Sequence, residues 1–525
     1  MACKACQRRV RLSCENRGQE VDQAYDPHLR EDPKKSIRKG FFWIGLASTF
    51  SQGLTALAMF IVMFFLTTEE MGVATLAVAF CVVFEALNSL GTNQAILQTK
   101  ELTPEETHSV FWFSTGFSLT MAVLCVPLAW PIASFYGVDL LVPLLIVTMF
   151  KLPLSSIAAV PLQLINRRFE YRKISAIQSL TTIGCSVLKI GLAALGFGAW
   201  SLVIGETAYG LGSAIGAFAL SGYRPRFHFR WSECRRFVVF GVKYCVANAI
   251  NQFNKNLHYL IIGKFLGQGV LGVYRIAYEF AMTPALALFD VVAKSSFPVF
   301  SRLQNERGEL LRLFLWNQRS LALFAAIPTV FILFAAGDIF DLMPNAEWTK
   351  ATPLIPYVLA LSFFKSLMQT YPDLYRACGK PSWPIFFFGA EVGLIALFCS
   401  AALYFVPWPW SLRVMILTWL GILFVLFFVH QKVSRLLIDI SAVQTIRTIG
   451  HGLAFVAMGI ALSIVPWMFR SWLPWPEWTH LGLELVLVLA TIAGYARFVL
   501  RIRLRDLMKQ HKRGEAHGAG GGASG

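Results

Sequence analysis

From about residue 40 to residue 500, runs of around 20 or more predominantly apolar residues follow one another with only short polar breaks. Each is long enough to cross a hydrocarbon core about 30 Å thick at about 1.5 Å of helical rise per residue. In lipid every backbone polar group must be satisfied within the chain, so such segments are either helices or the strands of a closed barrel. No stretch alternates polar and apolar residues as barrel strands do. Composition agrees: 56% of residues are hydrophobic, mean hydropathy is +0.57, and 15% are charged, against about 25% in ordinary soluble domains. The fold class expected is all-α, a polytopic membrane protein of about 14 spans. They fall at 40–66, 73–98, 107–130, 140–165, 173–195, 199–221, 237–263, 269–296, 313–336, 351–375, 382–405, 411–434, 447–468 and 480–502.

Basic residues orient these spans. With residues 1–39 in the cytoplasm and sides alternating from there, the cytoplasmic segments carry 35 of the 47 Lys and Arg residues. The opposite side has three (Lys264, Lys350 and Arg470), and, with Lys173, Lys432, Arg447, Arg497 and Arg501 at span ends counted as cytoplasmic, nine lie within spans. This asymmetry is what the positive-inside rule produces, and it requires an even number of spans with both termini inside. The net charge of +17 therefore marks topology and contact with an anionic leaflet. The charges sit in short juxtamembrane loops, so no nucleic-acid partner is expected.

A weak repeat divides the chain. Residues 71–80 (MGVATLAVAF) and 271–280 (LGVYRIAYEF) match at Gly72/Gly272, Val73/Val273, Ala77/Ala277 and Phe80/Phe280. An offset of six spans keeps both copies in one orientation, as parallel transporter repeats require. The most basic internal loop, 222–236 (GYRPRFHFRWSECRR), separates them, and its Pro225 discourages a continuous helix. The expected organisation is an arm at 1–37 without persistent structure, an N-lobe at 38–221, a basic linker at 222–236, a C-lobe at 237–434, an appended pair of spans within 447–502, and a tail at 503–525.

Charged and amide groups inside the spans are the candidate functional residues. In the seventh span Tyr244, Asn248, Asn251, Lys255 and His258 fall within an arc of roughly 80° at about 100° per residue. Lys151, Lys365, Glu85, Glu206 and Glu391 also lie at mid-span. Facing lipid, Lys255 and these five would together cost on the order of 15–20 kcal/mol, so they should face a wet cavity or one another. Lys255, with Lys151 and Lys365, suits an anion such as a pyrophosphate, and Asn248 and Asn251 can donate to phosphate or sugar oxygens. Glu85 is a candidate proton or cation site, and His258 can titrate near neutrality. The competing role for all of them is structural, as interhelical ion pairs and packed polar groups.

Other features are read more plainly. Cys3, Cys6 and Cys14 lack the companions of a zinc spacing, and the cysteines within spans behave as small hydrophobes. Trp408, Trp410, Trp467, Trp472, Trp475 and Trp478 form an interfacial belt. Pro153, Pro161 and Pro284 are expected to kink their helices. There is no P-loop, zinc-protease helix or nucleophile elbow, and no loop could fold as a soluble catalytic domain. No cofactor, no metal and no enzymatic activity are expected.

The run FGVKYCVANAINQFNKNLHYLIIGKFLGQGVLGVYRIAYEF (240–280), followed by FPVFSRLQNE (297–306), resembles the second-lobe signature of bacterial polysaccharide flippases of the Wzx type. So do LGTNQAILQTKELTPEETHSVFW (90–112), PLQLINRRFEYRKISAIQ (161–178), GFGAWSLVIGE (196–206) and YRACGKP (375–381). These fragments occur in the order of the family, which belongs to the multidrug/oligosaccharidyl-lipid/polysaccharide exporter superfamily. The resemblance implies two lobes around a cationic cavity and an undecaprenyl-pyrophosphate-linked oligosaccharide as substrate. It also implies alternating access in the bacterial inner membrane, driven by H+ or Na+, alongside polysaccharide polymerase and export proteins. Where members of the family commonly carry an acidic residue, this chain has His258. Two rivals are a MATE-like exporter of organic cations, which favours an acidic cavity, and a membrane-embedded glycan polymerase or ligase, which needs a large outer loop.

Overall fold

The computed structural model describes residues 33–498 apart from positions 89, 100, 101, 305, 381 and 469–476. The arm up to residue 32 with its cysteines, the glycine-rich end and Arg470 lie outside the described residues. So do the side chains of Lys243, Asp290, Lys294, Trp467, Trp472, Trp475 and Trp478. The described residues form helices and turns, with no strand among them. They divide into two compact units, one ending at Gly272 and one beginning at Val273.

The first unit contains α1 (Pro33–Val62), α2 (Thr68–Leu87), α3 (Thr92–Gln98), α4 (Pro104–Cys125), α5 (Ala129–Tyr136), α6 (Leu141–Met149), α7 (Lys151–Arg167), α8 (Tyr171–Ala194), α9 (Ala199–Ser221) and α10 (Trp231–Phe265). It closes with the first turns of α11 (Gly267–Arg302). α1 runs along α8, α9 packs on α7 and α8, and α10 packs on α2, α3 and α4. The seventh expected span, α10, is thus grouped with the first six by compactness. The second unit holds the remainder of α11, then α12 (Arg307–Asp341), a 3-10 segment (Ala346–Leu354), α13 (Ile355–Met368), α14 (Thr370–Ala377) and α15 (Ser382–Leu394). It continues through α16 (Ser400–Phe405), α17 (Ser411–Ile438), α18 (Ala442–Met468) and α19 (Glu477–Phe498). Its core gathers Phe300, Phe314, Phe363, Tyr371, Tyr375 and Phe427.

Local sequence explains the boundaries. α2 and α4 both open on a capping box, Thr67 with Glu70 and Thr103 with Glu106, in which side chain and backbone satisfy each other's orphan donors. The fourth expected span is broken at Phe150, just ahead of Pro153, whose missing N–H leaves the Met149 carbonyl without its helical partner. Pro161 sits inside α7, and α11 runs past Pro284 as one helix. Helices run through all fourteen expected segments. By length and composition, ten described helical segments suffice to cross a membrane, and Ala47–Val62 and Thr479–Tyr495 form two shorter apolar helices. α10 is not among the ten, because Asn248, Asn251, Asn254, Lys255, Asn256 and His258 dilute its hydropathy.

The repeat glycines meet. A Cβ on Gly72 would lie 1.9 Å from the Gln268 carbonyl oxygen, and a Cβ on Gly272 would lie 1.9 Å from that of Thr68. Positions 68 and 72 of one copy thus face 272 and 268 of the other, the reciprocity of a local twofold relation. Only glycine allows backbones to approach this closely. At the other end of α2, Gly91 (φ +70°) and Gly241 of α10 approach in the same way.

Candidate functional site

Four helices of the first unit each contribute one charge to a single cluster. The Lys151 ammonium on α7 lies 3.1 Å from a Glu85 carboxylate oxygen on α2 and 3.5 Å from one of Glu206 on α9. The other Glu206 oxygen lies 2.6 Å from Nζ of Lys189 on α8. Ser155, one turn along α7, donates to Glu85 at 2.8 Å. Gly205 makes this reach possible, since a Cβ there would stand 2.2 Å from Cγ of Lys189. Two lysines and two glutamates leave the cluster formally neutral. Lys151, only 9% exposed, is a candidate anion ligand from sequence and Glu85 a candidate ion-coupling carboxylate, with an interhelical ion pair as the competing role for both. The structure pairs them with each other, because mutual attraction is the nearest way to offset desolvation in a low-dielectric interior.

The polar stripe of α10 is arranged differently. Tyr244 is exposed, and its hydroxyl accepts from Gln94 Nε2 at 3.4 Å. Asn248 and Asn251 are half-buried and Lys255 is exposed. His258, at 1% exposure, is buried with its ring 4.0 Å from that of Tyr259. The stripe therefore has an open stretch, 244–255, and a closed end. His258 belongs to the packed end, within the buried run 257–263.

Lys365, on α13, belongs to the second unit. Its Nζ is buried, stands 4.6 Å from the ring centroid of Trp419, and has no hydrogen-bond acceptor among the described residues. The Trp419 indole is stacked 6.3 Å from the Tyr278 ring at an interplanar angle of 6°. Buried Glu391 interacts electrostatically with both Lys365 and Tyr278. On α11, Arg275 pairs with Glu279 at 2.9 Å, and Thr283 donates to the same carboxylate at 2.7 Å. Thus of the seven candidate residues, Glu85 and Lys151 touch. Asn248, Asn251, Lys255 and His258 share one helix, and Lys365 stands in another cluster. Sequence reasoning missed Trp419. The available signal was its place near the middle of an apolar span rather than at an end, where belt tryptophans such as exposed Trp408 and Trp410 sit.

The family model for polysaccharide biosynthesis proteins matches residues 61–353, more than half of the chain. This chain belongs to that family. Among curated relatives, the polysaccharide biosynthesis protein is 27% identical over 330 residues to the succinoglycan biosynthesis transport protein ExoT of Rhizobium meliloti, covering 62% of this chain and 66% of ExoT. It is 23% identical over 347 residues to the lipopolysaccharide biosynthesis protein WzxC of Escherichia coli, covering 64% and 69%. The chain thus spans about two thirds of the length of these relatives. Among solved structures, its fold matches the lipid II flippase MurJ in an inward closed conformation with a TM-score of 0.65 at 14% identity, over 87% of this chain and 99% of that one.

Proposed function

We propose that this protein moves an undecaprenyl-pyrophosphate-linked oligosaccharide from the cytoplasmic to the outer leaflet of a bacterial inner membrane, by alternating access, for exopolysaccharide or O-antigen assembly. It acts as a transporter rather than an enzyme, with both termini cytoplasmic. It is coupled to H+ or Na+ and hands its cargo to polymerase and export proteins. Family membership, relatives that include a transport protein, and a fold shared with a lipid flippase support this reading.

The observation that carries it is the Lys365 ammonium, held at mid-span on an indole face without a hydrogen-bond acceptor among the described residues. A cation–π contact offsets only part of the desolvation of an ammonium. An arriving phosphate supplies the missing acceptors. In the first unit, taken by itself, Lys255, Asn248 and Asn251 on the open stretch of α10 offer donors suited to phosphate and sugar oxygens. In this reading Lys151, Glu85, Glu206 and Lys189 form the frame that holds the first unit's helices, and His258 packs rather than couples ions.

The test is deletion of the gene followed by leaflet analysis of the lipid-linked repeat unit. Complete, unpolymerised units confined to the cytoplasmic leaflet are the expected result. Their accumulation in the outer leaflet places the lesion after translocation and ends the transporter reading.

A further inference from the structure

We propose that residues 223–231, which join α9 to α10, form a docking surface for the anionic phospholipid headgroups of the membrane that the chain spans. This surface is separate from the transport residues above and does not depend on them. α9, one of the helices fit to cross a membrane, ends at Ser221 with Gly222 in the left-handed conformation (φ +68°), and α10 begins at Trp231. The segment between is non-helical, and it emerges from the end of a membrane-crossing helix.

Its backbone is pinned to α4. The Trp112 indole N–H donates to the Arg226 carbonyl at 2.8 Å, and the Arg230 amide donates to Ser109 Oγ at 3.1 Å. His108 Nδ1 meets the Tyr223 hydroxyl at 2.9 Å and the Arg226 amide at 3.3 Å. With the backbone held, Tyr223 packs inward while the Phe and Trp rings stand exposed. Phe227 is edge-on to Trp112 with ring centroids 5.2 Å apart, and Trp231 is tilted against Phe113 at 5.5 Å. Phe227 is 89% exposed, and Phe229 and Trp231 are each 51% exposed. Arg224, Arg226, Arg230 and Arg235 are exposed between and beside them.

Glu233 is the single carboxylate in 222–236, and it is taken up internally by Ser109 at 2.6 Å and His228 at 2.9 Å. Arginines of the preceding loop differ. Arg167 and Arg168 turn back onto the carbonyls of Ile96 and Ser221, each at 3.0 Å. Exposed rings interleaved with guanidiniums match the two layers of an interface: the rings enter the acyl boundary while the guanidiniums fork onto phosphates. The charge complement of such a surface is an anionic leaflet.

The test uses the purified full chain from nanodiscs of phosphatidylcholine with phosphatidylglycerol, reading co-retained lipid by native mass spectrometry. Wild-type protein retains phosphatidylglycerol preferentially, and added salt weakens the preference. Substituting Arg224→Gln, Arg226→Gln, Arg230→Gln and Arg235→Gln together lowers that preference by about tenfold or more. Phe227→Ser with Phe229→Ser lowers total retention at unchanged charge. Unaltered thermal unfolding of both variants in lipid-free detergent separates loss of docking from loss of fold. Equal retention by the fourfold arginine variant and wild type overturns the proposal. Wild-type preference for undecaprenyl phosphate over phosphatidylglycerol also overturns it, by giving the surface to the transported lipid. Displacement of phosphatidylglycerol by a soluble protein does the same.

Discussion

Each compact unit buries a lysine beside a break in a membrane-crossing segment, and the two lysines keep opposite company. Lys151 follows the break at Phe150, ahead of Pro153. Lys365 precedes a break at Gln369, ahead of Pro372. Lys151 meets two carboxylates, one of them already shared with Lys189. Lys365 meets an indole face, feels buried Glu391 electrostatically, and has no hydrogen-bond acceptor among the described residues. Carboxylates neutralise and fix a charge, whereas a π face only tolerates one and leaves its donors available. The first cluster is built to hold helices together, and the second to receive something.

The largest effect expected of this difference is on stability. Lys151→Met leaves Glu85 without its ion partner and destabilises the protein by about 3–5 kcal/mol, read as a lowered thermal midpoint in detergent. Adding Glu85→Gln recovers most of the loss, since Glu206 keeps Lys189. An unchanged midpoint for Lys151→Met would erase the contrast between the units. Next comes the α2–α11 crossing. Gly72→Leu forces side-chain atoms into the Gln268 backbone and costs about 1–3 kcal/mol by overpacking. Gly116→Leu, where a Cβ meets nothing within 4 Å, leaves the midpoint unchanged. A smaller change, about 1 kcal/mol, follows from Gly205→Ala, because the added methyl displaces the Lys189 stem from its path to Glu206. Combined with Lys189→Met, Gly205→Ala adds little if that account holds.

The smallest effect concerns the segment docked on α4. Glu233 titrates below its ordinary value of 4.5, chiefly because the Ser109 hydroxyl donates to it, with His228 adding to the effect and burial opposing it. A carboxyl lowered on folding contributes its stability in full above the unfolded value and loses it as pH falls through the folded one. Hydrogen exchange across 223–233 should therefore quicken below about pH 4.5, beyond the intrinsic pH dependence of exchange. Glu233→Gln should remove that excess.

Much of the architecture was legible because lipid imposes a single solution on long apolar runs, and helices run through every expected segment. The face shared by Asn248, Asn251 and Lys255 was legible from helical period, whereas the repeat match at Gly72 and Gly272 gave no sign that the two glycines meet. Pairing was not. Glu85, Lys151, Lys189 and Glu206 sit on four separate helices, and periodicity within one helix says nothing of its neighbours. For the same reason Lys151 and Lys365 looked alike in sequence. His258 shared the angular position of Lys255 but lies farther along α10, within the buried run 257–263 rather than on the open stretch. The break at Phe150 was foreshadowed by Pro153, though not its position one turn earlier.

The most direct measurement is export of the lipid-linked repeat unit, assayed with thermal stability, for Lys365→Met beside Lys151→Met. The account predicts that Lys365→Met lowers export about tenfold, the equivalent of about 1.4 kcal/mol, while its unfolding midpoint stays at or above that of wild type. Normal export by a stably inserted Lys365→Met protein would contradict it.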